Sequence, residues 1–255
     1  MRIERDLTYT PADWPAALEA DVYRPAANGP FPAVLLVHPG AWAHGSRSDM
    51  DDIGRLLARR GFVAVDIEYR LAPQWHFPAP LQDLQQAMHW IHAHARAHDI
   101  DEARIGAFGY SAGGHLAALL AMLRPGDALD SPYGGPDTRL RALVAGAAPA
   151  DLTLLDGGGL TESFLGVTPR QDPQRYVLAS PVSHVHAGAP PVFLYHGAVD
   201  DLVPVEHAQR FRAALAAVGV HSELYRIPLL GHVSVFLLAD SALDAALEFL
   251  DRTLR

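Results

Sequence analysis

The chain has 255 residues, 49% of them hydrophobic and 19% charged, which suits a large globular core in one domain or at most two. A formal net charge of −9 argues against nucleic acid and against an anionic membrane surface, since both call for a basic face. With no cysteine, disulfides, thiol catalysis and cysteine-based metal sites are excluded.

Met1 is followed by Arg2, Ile3, Glu4, Arg5 and Asp6, without the apolar start of a signal peptide, and no apolar run approaches the roughly 18 residues of a membrane span. A cytoplasmic location is the expectation. Fourteen histidines make the charge pH-dependent below about pH 6.5, and most of them are expected at the surface.

Residues 3–9 and 18–23 alternate as strands do, with a turn at Thr10-Pro11-Ala12-Asp13-Trp14-Pro15 between them. Residues 33–38 form a continuous apolar run, which suits a strand buried on both faces of a parallel sheet. A helix follows at 49–60, with Ile53, Leu56 and Leu57 on one face and Gly61 as its stop. Strands are then expected at 62–68, 104–109, 141–148, 192–196 and 222–227, and helices at 80–98, 112–123, 205–218 and 241–253. Such a series predicts an α/β class: a mostly parallel central sheet with helices on both faces. Two stretches rich in Gly, Pro and Asp, at about 124–139 and 149–190, read as excursions from a single domain.

Arg104-Ile105-Gly106-Ala107-Phe108 leads into Gly109-Tyr110-Ser111-Ala112-Gly113, and His115-Leu116-Ala117 continues as helix. A strand-to-helix turn this tight needs small flanking residues, and it lifts the serine hydroxyl above the sheet edge beside a helix N-terminus. Ser111 is therefore the candidate nucleophile. A serine hydroxyl needs a base, and the base an orienting acid. Asp200 follows the apolar strand Val192-Phe193-Leu194-Tyr195-His196 and the turn at Gly197, at the sheet edge where catalytic groups gather. Asp201 is its local competitor. His232, in the loop expected after the strand at 222–227, lies one helix and one strand further on and is the candidate base. For the oxyanion, Ala112 offers one N–H. The loop His38-Pro39-Gly40-Ala41-Trp42 offers those of Gly40 and Ala41, since Pro39 has none. His38 is read as a brace for that loop, Arg70 and Asp83 as a structural pair, and Trp42, Trp75 and Tyr110 as candidate pocket walls.

These residues resemble the small carboxylesterases of the α/β-hydrolase superfamily, particularly the acetyl-esterase and feruloyl-esterase-like branch related to the hormone-sensitive-lipase group. The resemblance runs from about residue 18 to 250. It rests on His38-Pro39-Gly40-Ala41-Trp42 with Gly45-Ser46, on Tyr69-Arg70-Leu71-Ala72-Pro73, and on Phe77-Pro78-Ala79 with Asp83. It continues through the elbow, Ser180-Pro181-Val182-Ser183-His184, His196-Gly197 with Asp200 and Val203-Pro204, and Gly231-His232. Three departures stand out. Pro39 and Ala41 replace two glycines of the family's oxyanion loop, Val233 stands where a glycine usually follows the histidine, and only about 30 residues precede the first oxyanion strand. The resemblance implies a small or absent cap, short-chain or small aryl or acetyl esters as substrates, and no metal or organic cofactor. It leaves open an arylformamidase-like or acylaminoacyl amidase, a non-catalytic ligand-binding protein on the same scaffold, and a homodimer through an edge strand or the last helices.

Overall fold

The computed structural model describes residues 1–155 and 158–255; Asp156 and Gly157, inside the second expected excursion, lie outside the described residues. Among the described residues, eight strands form one sheet in the order β1-β2-β4-β3-β5-β6-β7-β8. These are β1 (Arg2–Thr8), β2 (Glu19–Arg24), β3 (Phe31–Val37), β4 (Val63–Ile67), β5 (Ile100–Tyr110), β6 (Leu143–Gly146), β7 (Val192–Gly197) and β8 (Ser222–Ile227). The β1–β2 and β2–β4 pairs are antiparallel, and every pair from β4 across to β8 is parallel.

The apolar run of β3 has the cause its composition suggests. Ala33, Leu35 and Val37 enter one core, Val34 and Leu36 the other, and all five are fully buried. Each large side chain buried this way contributes about 1.5–3 kcal/mol at most. One face is covered by α2 (Ala79–His94), α3 (Ala112–Met122) and α6 (Glu206–Ala217), the other by α1 (Asp51–Arg59) and α8 (Asp240–Leu254). Every residue of α3 is buried, which is why that helix is built from small and apolar residues around a single histidine.

Several boundaries differ from the sequence expectation. β5 reaches back to Ile100, because Phe31 of β3 pairs with Ile100 across an irregularity in the ladder. The helix expected to reach residue 98 ends at His94. The first excursion holds turns and one short 3₁₀ segment, Pro136–Thr138, whereas the second carries two short helices, α4 (Gly159–Leu165) and α5 (Pro173–Leu178). His232 is not in a loop: it is the first residue of α7 (His232–Leu238). The chain turns straight into this helix from Gly231, whose carbonyl accepts the Val235 N–H at 3.0 Å. No helix among the described residues is long and apolar enough to cross a membrane.

One buried carboxyl group sets a testable pH dependence of stability. Asp66 of β4 is fully buried beside Asp21 of β2, and neither of its carboxyl oxygens has a hydrogen-bond partner among the described residues. Burial, aided by the negative charge of Asp21, raises its pKa well above the usual carboxylate value despite Arg47 nearby. The folded state therefore holds a proton that the unfolded chain releases above about pH 4, so Asp66 erodes stability as pH rises. Asp66→Asn is expected to change little below pH 4. Above that it should stabilise by up to about 1.4 kcal/mol per pH unit until the folded carboxyl itself ionises. Urea unfolding at pH 4 and pH 7 measures the difference.

Candidate active site

Ser111 stands between β5 and α3 with φ 52° and ψ −121°, a conformation costly for a residue with a Cβ. The fold holds it there: its N–H donates to Gly146 O at 2.8 Å, and its carbonyl accepts the His115 N–H at 2.9 Å. The elbow lies so close to β3 that a Cβ on Gly113 would sit 2.1 Å from Val37 O. Gly113→Ala is thus expected to cost about 3 kcal/mol or more, because a strand backbone cannot retreat as a side chain can. A guanidinium unfolding curve would show it, and a loss below about 1 kcal/mol would mean that the elbow has slack.

The three residues that the sequence separates by up to 121 positions are hydrogen bonded in series. His232 Nε2 lies 2.8 Å from Ser111 Oγ, and His232 Nδ1 lies 2.7 Å from Asp200 Oδ2. Because the carboxylate can only accept, the imidazole proton is on Nδ1 and the Nε2 lone pair faces the serine hydroxyl. Asp200 Oδ1 accepts the N–H groups of Leu202 and Val203 at 3.0 and 2.8 Å, in a turn that fixes the carboxylate plane. Burial alone would raise the Asp200 pKa, but the His196 ring nitrogen 3.4 Å away and the hydrogen bonds from His232 and Val203 outweigh it and hold the group far below the usual carboxylate range. Asp201, the competitor, points to solvent. Tyr110 donates from its hydroxyl to His232 O at 2.6 Å and packs on Phe236 at 4.9 Å, tying the start of α7 to the elbow.

The loop after β3 carries three consecutive positive φ angles, at Gly40 (124°), Ala41 (52°) and Trp42 (61°). Its turn is closed by the Ala43 and His44 N–H groups, which donate to Gly40 O at 3.0 and 2.8 Å. Among the described residues no acceptor takes the Gly40 or Ala41 N–H. The Ala112 N–H is in the first turn of α3, where a helix leaves its donors unpaired. His38 braces the loop from behind. It is buried, stacks on Tyr69 at 4.2 Å and donates from Nδ1 to Pro39 O at 2.7 Å. Burial lowers its pKa to about 4, so it is neutral.

Two cavities meet at Ser111. The first, of about 260 Å³, is walled by Trp42, Ala112, Pro149, Leu155 and Thr161. The second, of about 410 Å³, is walled by Gly40, His44, Tyr110, His232, Val233 and Phe236. Ala41, Leu160 and Leu202 border both. Trp42 is a wall because it is pinned: its indole N–H donates to His115 Nδ1 at 3.2 Å and its ring stacks on Phe164 at 4.5 Å.

Trp75 corrects the sequence reading. It borders neither cavity and lines a separate recess with Leu18, Tyr69 and Gln74. The cause is Arg70, whose guanidinium lies 5.2 Å from the Trp75 ring and 2.8 Å from buried Asp83. That ion pair, joined by the Trp14 indole N–H on Asp83 at 2.8 Å, holds Trp75 beside the charge and away from Ser111. Sequence reasoning also missed Leu155, Leu160 and Thr161. No periodicity marks these residues in the sequence, and only the fold brings the three side chains to the cavity beside Ser111.

The sheet order, the strained serine between strand and helix, and the series of side chains at the carboxyl edge define the α/β-hydrolase fold. A family description named BD-FAE matches residues 20–215, and the chain belongs to that family. It is 34% identical over 215 residues to the probable carboxylic ester hydrolase LipM of Mycobacterium tuberculosis, covering 80% of this chain and 50% of that protein. This chain spans about half the length of curated relatives such as LipM. Among solved structures, a truncated carbohydrate esterase from gut microbiota shares the fold with a TM-score of 0.88 at 22% identity, over 99% of this chain and 96% of that one. The esterase Est2 of Thermogutta terrifontis, solved with butyrate bound, superposes with a TM-score of 0.81 at 26% identity, over 98% and 93% of the two chains.

Proposed function

We propose that this chain is a serine carboxylesterase of one α/β-hydrolase domain, acting on short-chain esters through an acyl-enzyme. Ser111 attacks the ester carbonyl while His232 takes its proton, and Asp200 stabilises the imidazolium. The N–H groups of Ala112, Ala41 and Gly40 receive the oxyanion. His232 then protonates the leaving alcohol, and water repeats the sequence to release the acid. The observation that carries this reading is the unbroken series Asp200–His232–Ser111 at 2.7 and 2.8 Å beside a loop whose Gly40 and Ala41 N–H groups meet no other acceptor among the described residues.

The two cavities acquire separate roles under this chemistry. The alcohol leaves on the side of its proton donor, so the cavity walled by His232, Val233 and Phe236 takes the alcohol. The smaller cavity beside Ala112 takes the acyl chain, and Trp42 sets its length. p-Nitrophenyl esters from acetate to laurate test this directly. The optimum is expected at four carbons or fewer, with turnover falling toward laurate. Preferential turnover of formamides or acylamino substrates would overturn the ester assignment, and a failure of organophosphates to label Ser111 would remove the mechanism.

A further inference from the structure

Large apolar side chains left exposed gather around Ser111. Leu160, Leu202 and Val233, which line the cavities there, are 44%, 56% and 65% exposed. Val199, one residue before Asp200, and Leu229, three before His232, are exposed as well. Their two loops run side by side, since the Val199 N–H donates to Leu230 O at 3.4 Å. Helix α7 continues this surface. Val233, Phe236 and Leu237 stand at i, i+3 and i+4 and so share a face, and Leu237 is also exposed. Single exposed leucines need no explanation, but an apolar surface gathered at the mouth of a cavity bears on what the cavity takes.

The polar groups of the cavity beside His232 are few, and most are engaged. Ser111 Oγ and His232 Nε2 are bonded to each other at 2.8 Å. The Tyr110 hydroxyl commits its proton to His232 O at 2.6 Å. One carboxylate oxygen of Asp49 accepts the Ser46 N–H at 2.9 Å. That leaves the other Asp49 oxygen and the His44 ring, both on exposed residues between β3 and α1. The remaining walls are Val233, Phe236, Leu160 and Leu202, and the Phe236 ring is held in place by its packing on Tyr110 at 4.9 Å. A polyhydroxy alcohol entering here would give up its hydration to face side chains that return no hydrogen bond. An alkyl or cycloalkyl group would cover the same side chains without that cost.

We propose that the alcohol part of the substrate is a bulky apolar group, alkyl, cycloalkyl or aryl, rather than a carbohydrate, and that Val233, Leu202 and Phe236 select it. This rests on the serine-esterase reading above and on departure of the alcohol past His232. During acylation the ester C–O bond breaks, His232 Nε2 gives its proton to the alkoxy oxygen, and the apolar alcohol leaves across Val233.

Two butyrate esters of nearly the same shape test the proposal: cyclohexylmethyl butyrate and methyl 6-O-butyryl-glucopyranoside. Each places a six-membered ring on the ester CH₂–O, the first without hydroxyls and the second with them. The acyl half is identical. The oxygens of the glucoside make it the better leaving group, so a preference for the cyclohexyl ester has to come from binding. Its kcat/KM is expected to be about 10- to 100-fold above that of the glucoside. In the double variant Leu202→Gln, Val233→Thr, which makes two exposed walls polar at similar size, the ratio should fall at least about fivefold. The fall should appear chiefly as a higher KM for the cyclohexyl ester, because binding of the alcohol is what is lost. Methyl butyrate, whose alcohol is too short to reach the wall, measures any general loss of activity in the same variant. Equal or faster hydrolysis of the glucoside by the wild type overturns the proposal, and so does an unchanged ratio in the folded double variant. Should the double variant not fold, Val233→Thr alone is judged by the same ratio. If none of the three esters is hydrolysed, the serine-esterase reading fails and this proposal with it. Hydrolysis of methyl butyrate without preference for the cyclohexyl ring removes this proposal alone.

Discussion

Ser111→Ala is expected to lower kcat/KM on p-nitrophenyl acetate by roughly 10⁵- to 10⁶-fold while leaving the fold and the unfolding midpoint nearly unchanged. The size follows from what the hydroxyl does. Its one side-chain bond among the described residues is to His232 Nε2 at 2.8 Å, so removing Oγ takes away the proposed nucleophile without unpairing a buried polar group elsewhere among them. The strain at φ 52° is a property of the backbone, and alanine inherits it with nothing added. The residual rate should come from the oxyanion N–H groups and from binding alone, on the order of 10³-fold over water. It should also lose the pH dependence that His232 imposes. A loss of less than about tenfold would mean that another group makes the covalent bond, and the chemistry would have to be rebuilt around it.

The parts of this site that were legible in the sequence are those enforced locally. The elbow could be recognised because a strand-to-helix turn with room for only a hydrogen at Gly113 leaves a fixed pattern of residue types. The run of β3 was legible because both faces of the sheet are covered, and so was that of β7. Asp200 could be placed at the end of β7, but its neighbour Asp201 could be set aside only by the turn that aims one carboxylate inward and the other to solvent. His232 was identifiable by order and spacing, yet its place at the head of a seven-residue helix was hidden, since α7 is too short to show a period. Trp75 failed for a different reason. An aromatic residue near a catalytic motif is as readily recruited by a guanidinium as by a substrate, and the Arg70–Asp83 pair that recruited it joins residues thirteen apart. The cavity walls at Leu155, Leu160 and Thr161 depend on packing between distant segments, for which one sequence holds no periodic signal.

Asp200→Asn is expected to lower kcat about 10⁴-fold, although it changes the side chain by a single atom. The surroundings decide which way the new amide points. Oδ1 accepts two backbone N–H groups, from Leu202 and Val203, so the amide oxygen must take that position. Its NH₂ is then forced into the place of Oδ2, facing His232 Nδ1 at 2.7 Å and the His196 N–H at 3.4 Å. A donor meeting Nδ1 drives the His232 proton to Nε2. The imidazole then presents a donor to Ser111 and can no longer take its proton. The loss should therefore fall on kcat with KM little changed, and the rate of organophosphate labelling should fall in parallel because both reactions need the serine deprotonated. Asp201→Asn, on the exposed neighbour, should stay within about threefold of wild type. If Asp200→Asn lost less than about tenfold, the Tyr110 hydroxyl on the His232 carbonyl would be enough to orient the ring. The negative charge of Asp200 would then have no part in catalysis.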